Sequence, residues 1–214
     1  MTRVILTSDD FGLSQIFNEK IIEMLEFGYL TSLSVMINRI TKEQTLQVQK
    51  LKDIYKNEDI SIGLHLELSE LDFLNEVNIQ WTLFETIFEF CPDYIDLHKS
   101  NAFMGNYNEI AKFCNSKNIP FRKYSSTSTP VISPVFSIVT THESIIKIKE
   151  IIDNFEKNKI YELIFHIGVY DSNSKSRLNK ERELDIEKLI EINQFLKEKR
   201  IELTNYNSLK NKTC

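Results

Sequence analysis

Short apolar runs alternate with amphipathic helical stretches along this 214-residue chain, and the alternation commits it to a parallel sheet flanked by helices. Residues 3–8, 31–38, 60–66, 94–98, 119–124, 161–167 and 201–204 read as strands. Residues 14–27, 41–56, 79–90, 106–117, 143–157 and 181–199 read as helices. The first helix has Ser14 as its N-cap, Gly28 just past its end, and Phe17, Ile21, Met24 and Leu25 at helical spacing. The Ser/Thr/Pro-rich stretch 125–141 reads as a loop with one short extended piece. No linker, repeat or composition break divides the chain. The expectation is a single domain over 1–214, an α/β fold whose repeated units favour a closed or nearly closed TIM-like (β/α) barrel over an open sheet. With 42% hydrophobic residues, such a domain can bury a core without disulfide staples.

A barrel of this kind brings the C-terminal ends of its strands to one mouth. Asp9 and Asp10 stand just behind Val4-Ile5-Leu6, His65 follows Ile62-Gly63-Leu64, His98 ends Tyr94-Ile95-Asp96-Leu97, and His166 sits in Phe165-His166-Ile167-Gly168. Two adjacent carboxylates behind a buried strand are costly unless something uses them. One aspartate with two histidines is a workable ligand set for a divalent cation, and the other aspartate is then free as a general base. Period 2 puts His65 and Glu67 on one face of their strand and Leu64, Leu66 and Leu68 on the other. An inward His65 would ligate through one nitrogen while an acceptor holds the other. Asp96 shares the face of His98 and is placed either to orient it or to stay at the barrel wall. His166, at a dry strand end, suits proton transfer. Arg122, a cation on an apolar strand, would contact a substrate oxygen or pair with a carboxylate, pairing being the commoner fate. Taken singly, each histidine reads equally as a core side chain satisfied by one carbonyl, and Asp9-Asp10 as the start of a polar loop. His142 reads as a surface residue at a helix start.

Charge is near balance, 26 basic against 31 acidic residues, and no basic tract suggests a nucleic-acid partner. Cys91, Cys114 and Cys214 are scattered and odd in number, which fits thiols in a reducing compartment rather than a disulfide framework. No segment approaches the ~20 apolar residues of a membrane span, and the N-terminus lacks the ~7–15-residue apolar stretch of a secretory signal. The chain therefore reads as cytoplasmic, with no membrane partner. A homo-oligomer is compatible with the sequence, which does not fix the oligomeric state.

Several segments, in order, resemble the YdjC-like (ChbG) carbohydrate deacetylase family. Thr7-Ser8-Asp9-Asp10-Phe11-Gly12-Leu13-Ser14 is similar to that family's N-A-D-D-F-G-L-S opening. Gly28-Tyr29-Leu30-Thr31-Ser32-Leu33-Ser34-Val35-Met36, Ile62-Gly63-Leu64-His65-Leu66, Asp96-Leu97-His98, Ile119-Pro120-Phe121-Arg122, Phe165-His166-Ile167-Gly168 and Arg182-Glu183-Leu184 resemble later motifs. The resemblance implies a distorted (β/α) barrel that hydrolyses the N-acetyl group of an acetylated amino sugar. It also implies a divalent ion, Mg2+ or Zn2+, on Asp10, His65 and His98, with Asp9 as base and His166 in the site. The chain departs from the family where Lys99-Ser100-Asn101-Ala102 replaces further histidines, where His-Pro-Gly has become His166-Ile167-Gly168, and in a short segment between His65 and His98. Those departures change the substrate-facing wall. Two other readings stay open: an esterase or amidase on another small acylated compound, and a non-catalytic sugar-binding relative.

Overall fold

Arg122 and Glu162 reveal the shape of the sheet. Arg122 stands one residue beyond Phe121, which bridges Ile95 at one sheet edge, yet its Nη1 lies 3.2 Å from Glu162 Oε1 near the other edge. At about 4.8 Å per strand, a flat sheet would separate those positions by about 24 Å. The sheet is therefore curled around a polar inner face. The structure, a computed structural model, describes residues 1–69, 72–98, 107–122 and 135–209. The altered cluster Lys99-Ser100-Asn101-Ala102, the end of the strand read over 119–124, most of the 125–141 stretch and Cys214 lie outside the described residues.

Among the described residues, seven parallel strands make the sheet: β1 (Arg3–Phe11), β2 (Ser32–Val35), β3 (Ser61–Leu66), β4 (Ile95–Leu97), β5 (Val135–Val139), β6 (Ile160–Phe165) and β7 (Glu202–Leu203). Their lateral order is β4-β3-β2-β1-β6-β5, and β7 pairs with the start of β1. The helices are α1 (Gln15–Glu26), α2 (Thr45–Asn57), α3 (Phe73–Phe88), α4 (Tyr107–Ser116), α5 (Ile145–Asp153) and α6 (Arg182–Glu198). Ser14 caps α1, its side chain accepting from Ile16 N–H. Several boundaries differ from the sequence reading: the strand read over 3–8 runs on to Phe11, the strand read over 31–38 contracts to Ser32–Val35, and the helix read over 143–157 spans Ile145–Asp153. The helix read from 79 begins at Phe73, where Val77 and Trp81 already pack inward. The strand read over 119–124 contracts, in its described part, to the single bridge at Phe121.

Outward residues of the strands, among them Val4, Leu6, Leu33, Val35, Ile62, Leu64, Leu66, Leu97, Leu163 and Phe165, join the helices in one apolar cluster. The inner face is polar and buried, with Thr7, Asp9, Ser32, Ser34, Ser61, His65, Asp96 and Glu162. Glu162 shows how such a lumen is tolerated. Its two oxygens accept from Thr7 Oγ1 (2.6 Å), Arg122 Nη1 (3.2 Å), Ser137 Oγ (2.7 Å) and Tyr206 OH (2.8 Å). Tyr94 stacks on Tyr206 at 3.9 Å between ring centroids and closes the lumen below the site.

Gly63 makes room for that stack. A Cβ there would lie 2.4 Å from Cζ of Tyr94, a ring fully buried against its partner. Gly63→Ala is therefore expected to cost about 1–3 kcal/mol through overpacking. In a chain of this size that lowers the thermal midpoint by about 2–12 °C, read by calorimetry. An unchanged midpoint would show that the ring shifts freely.

Candidate active site

The site begins with an irregularity in β1. Thr7 pairs with Ser32 and Ser8 with Leu33, and then the register slips so that Phe11 meets Val35. This is a β-bulge, with Asp10 in the left-handed region at φ 72°. A regular strand would send neighbouring side chains to opposite faces. The bulge instead turns Asp9 and Asp10 together into the mouth and returns Phe11 to the apolar cluster. Aspartate tolerates this backbone better than most residues, and neighbouring hydrogen bonds hold it there. Gly12 N–H donates to Asn18 Oδ1 (2.7 Å), and Gln44 Nε2 donates to the Gly12 carbonyl (2.9 Å).

Asp10 Oδ2 accepts from Arg182 Nη2 at 2.6 Å, while Asp10 Oδ1 is buried and accepts no hydrogen bond. Two imidazole nitrogens face Oδ1: His65 Nε2 and His98 Nδ1, each 3.4 Å from it and 3.2 Å from each other. His65 Nδ1 lies 2.8 Å from Asp96 Oδ2. A carboxylate only accepts, so Nδ1 carries the proton and the Nε2 lone pair points at the cluster. The expected link from Asp96 to His98 is thereby corrected. Register pairs Asp96 directly with His65 across β3 and β4, closer than the i, i+2 spacing within one strand.

These three donors fit a divalent cation on three counts. Donors at metal bonds of about 2.0–2.1 Å stand about 3.3–3.4 Å apart around a tetrahedral ion and about 3.0 Å around an octahedral one. The observed spacings of 3.2–3.4 Å lie in that range. An unpartnered carboxylate oxygen in a buried setting is costly without a cation. In the same interior, among the described residues, the carboxylates Asp9, Asp10, Asp96 and Glu162 gather around the two guanidinium groups of Arg122 and Arg182, an acidic setting that suits a dication. A second trio, Asp9, His65 and Asp96, is equally compact; there the Arg122 guanidinium pairs with Asp9 and with Asp96 Oδ2, and Asp96 Oδ1 is a further buried oxygen that accepts no hydrogen bond.

Asp9 is gripped from two sides. Arg122 donates to it bidentately, Nη1 to Oδ1 at 2.9 Å and Nη2 to Oδ2 at 2.7 Å, and Ser34 Oγ donates to Oδ1 at 2.9 Å. Burial opposes its ionisation, but Arg122 first, then His65 and His166, outweigh burial and hold its carboxyl well below the usual range. Asp9 is thus ionised at any working pH. Asp10 is held low as well: burial opposes ionisation there too, and His65, His98, His166 and Arg182 overcome it. His166 lines the same cavity, and its pKa is lowered, chiefly by burial, with Asp10 and Asp9 pulling the other way.

Arg122 lies in the lumen, paired with carboxylates. It is 1% exposed and its guanidinium pairs with Asp9, Asp96 and Glu162, so the expected substrate contact is corrected to the alternative fate, pairing. Sequence reasoning gave Arg182 no role, although it is fully buried, binds Asp10 and stacks on Phe17 at 4.1 Å. The available signal was an arginine at the first residue of a helix, where the helix dipole disfavours a cation.

The mouth opens into a cavity of about 1100 Å³. Its floor is Asp9, Asp10, His65, His98 and His166, and its walls carry Arg39, Glu67, His142, Lys175 and Arg177. No helix among the described residues is long and apolar enough to cross a membrane.

A curled parallel α/β sheet presents an Asp/His/His donor cluster, a second aspartate and a further histidine to one cavity, the class of arrangement that fits a cation beside groups able to move protons. Comparison with known proteins sharpens that class. The YdjC-like protein family matches residues 3–75, the part that carries Asp9, Asp10 and His65. A carbohydrate deacetylase of Clostridium beijerinckii is 27% identical over 251 residues, covering 97% of this chain and 100% of the relative. A crystal structure described as a cellobiose-phosphate cleavage protein of Enterococcus faecalis V583 superposes with a TM-score of 0.74 at 19% identity, over 98% of this chain and 99% of that one. A family 4 acetyl xylan esterase from Clostridium thermocellum, solved with a cobalt ion, gives a TM-score of 0.58 at 11% identity, over 97% of this chain and 90% of that one. The resemblance to YdjC-like proteins thus lies in the sequence of residues 3–75, and the likeness to these solved structures lies in the fold.

Proposed function

We propose that this chain is a divalent-metal-dependent carbohydrate deacetylase that hydrolyses the N-acetyl group of an acetylated amino sugar or short oligosaccharide and releases acetate. The reading takes residues 1–214 as one domain on a distorted TIM-like barrel, acting on a small soluble substrate in the cytoplasm. The observation that carries it is the unpartnered Asp10 Oδ1 facing His65 and His98 in the cavity that also holds Asp9 and His166. The curated relative acts, by its name, on the same class of compound.

Asp10, His65 and His98 would hold the ion, which when bound supplies Lewis acidity toward an acetamide carbonyl and lowers the pKa of water. Asp9 takes the proton of the attacking water, and its bidentate grip on Arg122 fixes the direction in which it accepts. His166 delivers a proton to the departing amine nitrogen as the C–N bond breaks, which makes the amine a leaving group. The cavity has room for a disaccharide-sized ligand, and Arg39, Lys175 and Arg177 on its walls supply donors to hydroxyl groups.

The test is acetate release from a panel of N-acetylated sugars and simple acetate esters, with and without Mg2+, Mn2+, Co2+ or Zn2+. Turnover of an N-acetylated sugar that requires the ion is expected. Faster turnover of esters throughout the panel would favour the esterase reading, and sugar binding without acetate release the non-catalytic one. Asp9→Asn is expected to lower kcat by about 10²–10⁴-fold with the ion retained. Full activity in that variant would remove Asp9 from the base role.

A further inference from the structure

His166 presents one ring nitrogen to the cavity and commits the other to a chain of side chains outside the catalytic set described above. His166 Nδ1 lies 2.8 Å from Thr141 Oγ1, and Thr141 Oγ1 lies 2.6 Å from Asp185 Oδ2. The same Asp185 oxygen accepts the His166 backbone N–H at 2.9 Å, and Lys188 Nζ lies 3.1 Å from Asp185 Oδ1. Asp185 is fully buried and Thr141 is 5% exposed. A carboxylate that already accepts from an ammonium and an amide must also accept from the hydroxyl. Thr141 has one proton, and Asp185 takes it. The threonine oxygen can then only accept from His166, so His166 Nδ1 carries a proton and Nε2 is the nitrogen free to act in the cavity.

We infer that Thr141, backed by Asp185, is a positioning residue that sets the tautomer and ring orientation of His166. The inference rests on the proposed role of His166 as the acid. As the C–N bond of the substrate breaks, the Nε2 proton of the imidazolium passes to the nitrogen that receives the bonding pair. A neutral ring remains with its proton on Nδ1, still bound to Thr141. Without the hydroxyl, the ring is free to turn or to hold its proton on the wrong nitrogen. The loss should therefore fall on substrates whose leaving group needs a proton.

Two readouts test this. Nitrogen-15 NMR of the neutral imidazole should show the Nδ1–H tautomer for His166 in the wild type and in Thr141→Ser, and should lose that preference in Thr141→Val. In kinetics, Thr141→Val should lower kcat on an N-acetylated amino-sugar disaccharide by about 10–100-fold, a share of the ~10²–10⁴-fold a general acid supplies. KM and ion content should hold, and Thr141→Ser should stay within about threefold of wild type. On 4-nitrophenyl acetate, whose phenolate departs unprotonated, Thr141→Val should lose less than about threefold, because general-acid help is not needed there. A wild-type Nε2–H tautomer, equal losses on both substrates, or a serine variant as impaired as valine would each overturn the assignment. His166→Ala separates the layers. If it keeps full turnover of the disaccharide, the acid role falls and the relay with it. If it loses turnover while Thr141→Val does not, only the relay falls. Should Thr141→Val fail to fold, the wild-type tautomer decides alone.

Discussion

Asp10→Ala is expected to abolish stoichiometric divalent-ion binding and to lower deacetylation by at least about 10³-fold, a loss of the size seen when preorganised charge stabilisation is removed. The reason is positional. Asp10 Oδ2 is occupied by Arg182, so Oδ1 is the Asp10 oxygen offered to the space between His65 Nε2 and His98 Nδ1. Two neutral imidazoles without that charge bind a dication far more weakly. Metal content after dialysis gives the first readout and thermal shift the second. An ion at 100 times its dissociation constant should stabilise the wild type by about 2.7 kcal/mol and the variant by nothing. Asp96→Ala should give a graded result, about 10–100-fold weaker ion binding, because it removes the acceptor that fixes the His65 tautomer and leaves the ligands in place. A wild-type protein that takes up none of Mg2+, Mn2+, Co2+ or Zn2+, or an Asp10→Ala protein that still binds one ion, would refute the centre.

The sequence is informative about this protein wherever a single element decides the outcome. Alternation within Ile62-Gly63-Leu64-His65-Leu66 is enough to put His65 on the inner face, because period 2 is a property of one strand. The cap at Ser14 and the left-handed Gly28 likewise follow from local chemistry. What needs two strands at once is not legible. The β1 bulge exists only relative to β2, so nothing in the string Ser8-Asp9-Asp10-Phe11 shows that both carboxylates turn the same way. The pairing of His65 with Asp96 depends on the β3–β4 register. Arg182 reaches Asp10 across 172 positions of sequence, and Thr141 reaches Asp185 across 44. The alternation forecast a barrel but not its polar lumen, since each inward serine or carboxylate looks like a solvated residue until the curl of the sheet encloses it.

Arg122→Met should be the most destabilising single change in the lumen, and it should reverse the local dependence of stability on pH. In the wild type, one guanidinium serves Asp9, Asp96 and Glu162. Methionine keeps much of the volume but removes the guanidinium that these buried carboxylates share, a change that costs about 3–5 kcal/mol. For a chain of this length that is about 6–20 °C in thermal midpoint. The pH signature separates this cause from simple loss of packing. In the wild type, Arg122 helps hold the Asp9 carboxyl well below its unfolded value. The unfolded chain then binds the proton more readily, and this contribution is complete above about pH 4 and lost as the pH falls further toward the folded pKa. Without Arg122, burial loses its largest counterweight and raises the folded pKa of Asp9 above that of the unfolded chain. The folded protein then binds the extra proton, so stability falls as pH rises through the raised pKa and recovers on acidification. Melting Arg122→Met and wild type, both freed of metal, from pH 7 down to pH 5 should narrow the gap between them. A gap that stays constant across that range would mean that Arg122 contributes bulk rather than charge, and the electrostatic account of the lumen would have to be abandoned.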